Sequence, residues 1–379
     1  MNVQPVLILG AGINGAAIAR ELLLNGIPVW LVDQADIASG ATAYSSRLIH
    51  GGLRYLEHRE FDLVRESLHE RTRLLRLAPQ FVQPLRLFIP TETRWGGIGR
   101  TVRQFLGWTS RPSATFVPRG AALVDWGLWL YDKFANDPNL PRRAKHLLTD
   151  DNVPRVNRSR FRWLASYHDA QIRYPERFVL ALLRDAERIS QDKNLEFRIL
   201  TYHQVRLEAE QARIWSTTPN SAYTVTPAAL VNATGAWVDR TLQQLPLPTE
   251  RLMGGTRGSH LICRNTELRR QLQFGGIYAE ASDGRPLFVL PFGELILLGT
   301  TDLPFTGNPR DAVATNDEVD YLLASVNTVL QNTCLTRSDI IAHYCGVRPL
   351  PFVTTNLQPP LPAAIVWKCI LFPIPQFIP

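Results

Sequence analysis

An α/β fold in two lobes is what this 379-residue sequence predicts, and three observations predict it. A short apolar run, Val6-Leu7-Ile8-Leu9, leads straight into Gly10-x-Gly12-x-x-Gly15. The stretch behind the glycines carries Ile18 and Leu22 at helical spacing, with Leu23 beside them, and stops at Gly26. A second apolar run, Ile27 to Val32, then ends in Asp33. Strand, helix and strand in that order form a β-α-β unit, whose parallel strands are covered on both faces and so read as continuous apolar runs. At roughly 100–200 residues per domain, the remaining length suffices for a second lobe.

The following elements continue the pattern. From Glu60 to Leu77, Phe61, Val64, Leu68 and Leu75 share a helical stripe that Pro79 ends. Residues 94–119 differ, with four glycines, two prolines and Trp95 and Trp108 among Arg94, Arg100, Arg103 and Arg111, which predicts a surface excursion. Pro175 opens a helix carrying Val179, Leu182, Leu183, Ala186 and Ile189, proline being tolerated at the first helical position. Residues 228–232 form another buried strand, and residues 286–298 a hairpin turning at Phe292-Gly293. Thr315 and Glu318 fit a capping box ahead of Val319, Leu322, Leu323 and Val326. Beyond Phe352 the only charged residue is Lys368 and prolines recur, so no core element is expected there.

Composition narrows the function. With 45% hydrophobic and 20% charged residues, the chain belongs with folded globular proteins and not with disordered, collagenous or disulfide-scaffold classes. The net charge is +7, and all but four of the 41 basic residues are arginine. They are scattered, which argues against nucleic acid and for anionic small substrates or lipid headgroups. The four cysteines, Cys263, Cys334, Cys345 and Cys369, lack metal-ligand spacing, so no metal site is expected and a reducing compartment fits. The N-terminus runs into its glycines without a basic leader, and charges or prolines interrupt every apolar stretch short of the ~18 residues of a membrane span.

The glycine pattern is meaningful because it follows a strand and opens a helix. Gly10, Gly12 and Gly15 let the backbone turn tightly and approach a pyrophosphate, which the helix N-terminus favours, while Asp33 stands where a carboxylate accepts ribose hydroxyls. That pattern alone leaves NAD and FAD open. Ala233-Thr234-Gly235, directly after the strand at 228–232, is similar to the second nucleotide-contact strand of two-domain flavoproteins and favours FAD.

On these segments the chain resembles the FAD-dependent glycerol-3-phosphate dehydrogenases of the aerobic, membrane-associated type. The residues that carry the resemblance are LILGAGINGAAIARELLLNGIPVWLVD, SSRLIHGGLRYLEHREFDLV, LVNATGAWVD, RGSH, LLGTTDLPFTGNP and YCGVRPL, in family order over about residues 5 to 351. The resemblance implies a Rossmann-like FAD-binding domain, about 1–80 and 175–240, and a mixed-sheet substrate domain, about 81–174 and 241–351. It implies that Ser45, Ser46, Arg47, Leu48, His50, Gly51 and Gly52 run under the pyrophosphate and flavin, and that the Val205 main chain meets adenine. Arg54, Tyr55, His260 and Arg348 match family substrate residues, with His260 as candidate base, and Thr300, Thr301 and Asp302 match a loop near the active site. The implied reaction is oxidation of glycerol 3-phosphate to dihydroxyacetone phosphate, with electrons passed to a quinone by a cytoplasmic protein peripheral to the inner face of the cell membrane. Residues 94–119 are the candidate membrane contact. Alternative readings are a flavin oxidase of an amine or amino acid, and a chain that binds FAD without turnover. After Pro351 the match stops: the family's further flavin and phosphate residues and its C-terminal helical domain are not recognised, and 352–379 reads as an aberrant proline-rich tail.

Overall fold

The computed structural model describes residues 3–58, 60–96, 119–208, 210–216, 221–245, 250–352 and 372–373. Along the chain come β1 (Val6–Leu9), α1 (Ile13–Leu24), β2 (Val29–Val32), β3 (Leu48–Ile49), α2 (Phe61–Leu77), β4 (Val82–Thr91) and α3 (Ala121–Ala135). Next are β5 (Ala144–His146), β6 (Trp163–Ile172), α4 (Pro175–Asp192), β7 (Phe197–Leu200), β8 (His203–Glu208), β9 (Gln211–Ser216), β10 (Ala222–Val225), β11 (Ala229–Asn232) and α5 (Val238–Gln243). The rest comprises β12 (Thr256–Cys263), α6 (Thr266–Gln271), β13 (Gly276–Glu280), β14 (Pro286–Phe292), β15 (Leu295–Gly299), β16 (Leu303–Pro304), α7 (Asn316–Val329), β17 (Ile340–Arg348) and β18 (Phe372–Pro373).

The first sheet has the order β18-β11-β1-β2-β7 and is parallel except for β18, which with Phe352 is the described part of the proline-rich tail. Period-two alternation sends Val6 and Ile8 of β1 to one face, against α1 and α4, and Leu7 and Leu9 to the other, against the three-stranded sheet β10-β9-β8. Both faces are covered, which is why the strand has no polar position. The helix face differs from expectation: Gly15, Ala16, Ala19 and Leu23 of α1 are the buried residues, and Ile18 and Leu22 lie at its margin. Small alanines let α1 pack close to Val179, Leu183 and Ala186 of α4, so burial follows size here rather than hydrophobicity alone.

The large sheet runs β16-β12-β15-β14-β13-β4-β6-β3, with β17 on β12 and β5 on β6. It is mixed, because β13 and β4 are parallel while the other pairs are antiparallel. One face packs on α7 through Leu261, Val289, Leu298, Leu322 and Val326, and the other on α2 and α3 through Leu87, Tyr278, Leu297, Leu68 and Leu128. The capping box of α7 and the hairpin turn at Gly293 (φ +61°) are as the sequence predicts.

Two expectations are corrected. The sheets do not divide at residue 80: Leu48 and Ile49 pair with Gln171 and Ala170 of β6, and Val64 and Leu68 of α2 bury against the large sheet. The α2 stripe also differs, since Phe61 and Leu75 are half-buried while Arg71, unremarkable in sequence, is fully buried. Its guanidinium pairs with Asp169 of β6 at 2.8 Å, which is what makes burial of the charge tolerable.

Candidate active site

The end of β1 forms a cradle. Gly10 has φ +102° and its N–H donates to Val32 O at 2.7 Å. A Cβ on Gly10 would stand 2.6 Å from Ala233 O, and one on Gly15 would run into Gly10 O, so neither position admits a side chain. Ala233 N–H donates to Leu9 O (2.8 Å), which brings Ala233-Thr234-Gly235 alongside the glycine turn. The first turn of α1 carries no acidic residue and Gly12 supplies no side-chain cap, leaving the positive helix end for an anion. Asp33 Oδ2 accepts from Ala11 N–H (2.7 Å) and Oδ1 from Ala35 N–H (2.8 Å). Burial raises the Asp33 pKa while those two donors oppose the rise, and each oxygen retains an acceptor position for a hydroxyl. His203 N–H donates to Asp33 O (2.9 Å), so by strand alternation the main chain of Val205 faces the same edge beside the end of β2.

The next segment fastens this cradle to the large sheet. Ser45 O accepts from Tyr344 OH (2.8 Å), and Ser46 Oγ lies 2.8 Å from His260 Nε2. Arg47, at φ +57°, turns its guanidinium to Glu176 (2.9 Å), Arg173 O (2.8 Å) and Ala43 O (3.2 Å). Its side chain therefore anchors the segment to the start of α4, and only its main chain is left to meet a cofactor. Leu48 follows in β3, and His50 Nδ1 accepts from Gly52 N–H at 3.1 Å. Arg54 and Tyr55 lie in a 3-10 turn, Leu53–His58, anchored by Tyr55 N–H on Gly52 O (2.8 Å); the Arg54 side chain lies outside the described residues.

Strands β12 and β17 bring the remaining candidates together, pairing His260 with Tyr344 and Thr256 with Arg348. The His260 ring is 2% exposed and stacks on Tyr344, centroids 4.8 Å apart. Burial first, and then the Arg348 and Arg47 guanidinium groups, push its pKa down to about 3, while the Gly258 backbone pulls the other way. The ring is therefore neutral at pH 7, and its Nδ1 is buried without a hydrogen-bond partner among the described residues. Arg348 Nη1 donates to Asp302 Oδ1 (2.8 Å), and Nη2 to Thr300 Oγ1 (2.8 Å) and Thr301 O (3.1 Å). The turn after β15 thus orients the guanidinium instead of merely closing a hairpin.

The sequence profile of the FAD dependent oxidoreductase family matches residues 5–361. The chain belongs to this family. It is 34% identical to a Synechocystis sp. glycerol-3-phosphate dehydrogenase and 30% identical to the aerobic glycerol-3-phosphate dehydrogenase of Escherichia coli, in each case over 92% of this chain. It spans 61% and 64% of the lengths of those two relatives. Among solved structures, the glycerol-3-phosphate dehydrogenase from Bacillus halodurans complexed with FAD superposes with a TM-score of 0.66 at 20% identity, covering 92% of this chain and 57% of that one.

The residues present fit the family's FAD. The close approach of Gly10 to Ala233 and of Gly15 to Gly10, the start of α1, where Ile13 N–H meets Thr42 Oγ1 (3.2 Å) and no acidic residue stands, and the buried carboxylate of Asp33 form a cradle that a Cβ on either glycine would fill. Sequence reasoning missed Tyr344, two residues before Gly346, although it supports both His260 and Ser45. It also missed Glu318 beyond its capping role: Oε1 accepts from Ser259 Oγ (2.9 Å) and Thr301 Oγ1 (2.7 Å), and Oε2 pairs with Arg257 (3.0 Å). Nothing local to Thr315-x-x-Glu318 signals those partners. Of the expected membrane excursion, Arg94 stacks over the exposed ring of Trp95, and Arg100, Arg103, Trp108 and Arg111 lie outside the described residues. Among the described residues, no helix is long and apolar enough to cross a membrane.

Proposed function

We propose that this chain holds FAD in the cradle and oxidises sn-glycerol 3-phosphate to dihydroxyacetone phosphate, with electrons passing to a quinone at a membrane surface. The observation that carries the reading is the convergence of His260, Ser46 and the Thr300–Asp302 turn with Arg348. FAD supplies the acceptor for the hydride leaving C2. Arg348 brings a positive charge to phosphate or to the C2 oxygen, and its contacts with Thr256, Thr300, Thr301 and Asp302 engage both Nη groups and fix the plane of the guanidinium. His260 Nδ1 is buried and Nε2 faces Ser46 Oγ, so the C2 hydroxyl proton reaches His260 only through that hydroxyl, Ser46 passing its own proton to Nε2 as it receives the substrate's. Exposed Trp95, Trp126 and Trp129 support the membrane part of the reading.

Anaerobic addition of glycerol 3-phosphate to the FAD-loaded protein should bleach the flavin absorbance. Arg348→Lys should need about tenfold more substrate, since an ammonium cannot reproduce the planar contacts with Thr300, Thr301 and Asp302 that hold the charge in place. Bound flavin that stays oxidised in saturating glycerol 3-phosphate would overturn the proposal.

A further inference from the structure

Asp169 of β6 and Arg71 of α2 form an ion pair in which each side chain is 1% exposed. An ion pair so deep is weak evidence for stability, because an apolar pair of similar volume often serves as well. Its geometry points to a directional use. Asp169 Oδ1 accepts from Arg71 Nη1 (2.8 Å) and from the hydroxyl of Tyr131 on α3 (2.5 Å). Having donated its single proton to Asp169 Oδ1, the Tyr131 oxygen can only accept from elsewhere, and it accepts from Gly51 N–H at 2.8 Å. Gly51 is pressed onto this oxygen: a Cβ there would stand 2.8 Å from Tyr131 OH and 2.6 Å from Leu68. The next residue, Gly52, sits at φ +67° and receives Tyr55 N–H on its carbonyl.

We propose that Tyr131 is a positioning residue which, through Gly51 N–H, fixes the main chain of His50 to Tyr55. What the segment is positioned for rests on the function proposed above; that it is positioned by Tyr131 does not. Removing the hydroxyl leaves a buried amide without its acceptor, and the segment must move to recover one.

A built-in control separates positioning from general support. Tyr167 is also buried and packs edge-on against the Tyr131 ring, centroids 5.5 Å apart, but among the described residues no hydrogen bond ties it to Gly51. In Tyr131→Phe, hydrogen exchange across residues 48–56 should quicken about five- to tenfold, as expected for the loss of one buried hydrogen bond, while Tyr167→Phe stays within about twofold of the parent. Unchanged exchange in Tyr131→Phe, or equal acceleration in both variants, would overturn the proposal. Should Tyr131→Phe not accumulate as folded protein, the parent Gly51 amide carries the test: protection comparable to α3 is expected, and exchange as fast as an exposed loop refutes it. Glycerol 3-phosphate titration of the FAD-loaded variants reads the substrate assignment separately: a raised KM in Tyr131→Phe alone is expected. An exchange difference without any response to glycerol 3-phosphate, in parent or variants, retains the positioning role and removes only the function assigned above.

Discussion

His260 is a residue whose identity is visible in Gly258-Ser259-His260 but whose chemistry is not. Its pKa falls to about 3 because β12 and β17 bury the ring against Tyr344, 84 positions further along the chain, and because Arg348 and Arg47 face it. That depression has a consequence for stability. The unfolded chain takes up the proton near pH 6.5 and the folded chain only near 3, so the stabilisation is complete above about 6.5 and declines as pH falls, by about 1.4 kcal/mol per unit. Between pH 7 and pH 5, urea titrations should show the parent losing about 2 kcal/mol more than His260→Gln. His146 and His168, also lowered by burial, are present in both proteins and cancel. Parallel losses would mean that His260 takes up its proton in the folded protein near its ordinary pKa.

Helix α7 shows how an element carries two messages of which only one is local. Thr315-x-x-Glu318 marks its start because the two side chains satisfy amide groups within a single turn. The outward contacts of Glu318, to Ser259, Thr301 and Arg257, brace the residue before His260 and the turn that holds Arg348. Those donors outweigh the burial that would raise its pKa, and hold it below the ordinary carboxylate range. Removal of a helix cap costs about 1 kcal/mol, whereas removal of one partner of a buried pair costs about 3–5 kcal/mol. Denaturant unfolding should therefore show Glu318→Ala losing about 3–5 kcal/mol against about 1 for Thr315→Ala, and equal losses would reduce Glu318 to its cap. Helix α1 gives the same lesson: periodicity locates the helix, but the close approach of α4 decides that alanines form its buried face.

At the scale of the whole molecule, the parallel sheet and the large mixed sheet meet where the Ser45–Gly52 segment passes from the cradle to His260 and Tyr131. A ligand bound there stabilises both lobes by mass action. FAD at a hundredfold excess over its Kd should add about 2.7 kcal/mol and raise the Tm by several degrees, while NAD at the same concentration should not. An equal rise with NAD would reassign the cradle. By itself the sequence determined the strands and helices of the β-α-β unit, the glycine turn, the hairpin at Gly293 and the start of α7, because each follows from sterics and periodicity within a few residues. Only the tertiary structure decided that Leu48 and α2 join the large sheet, that Arg71 and Asp169 pair in the core, that Arg348 is oriented by Asp302, and that His260 stays neutral. Each of those depends on burial and on partners 46 to 214 positions apart in the chain, where no short-range signal reaches.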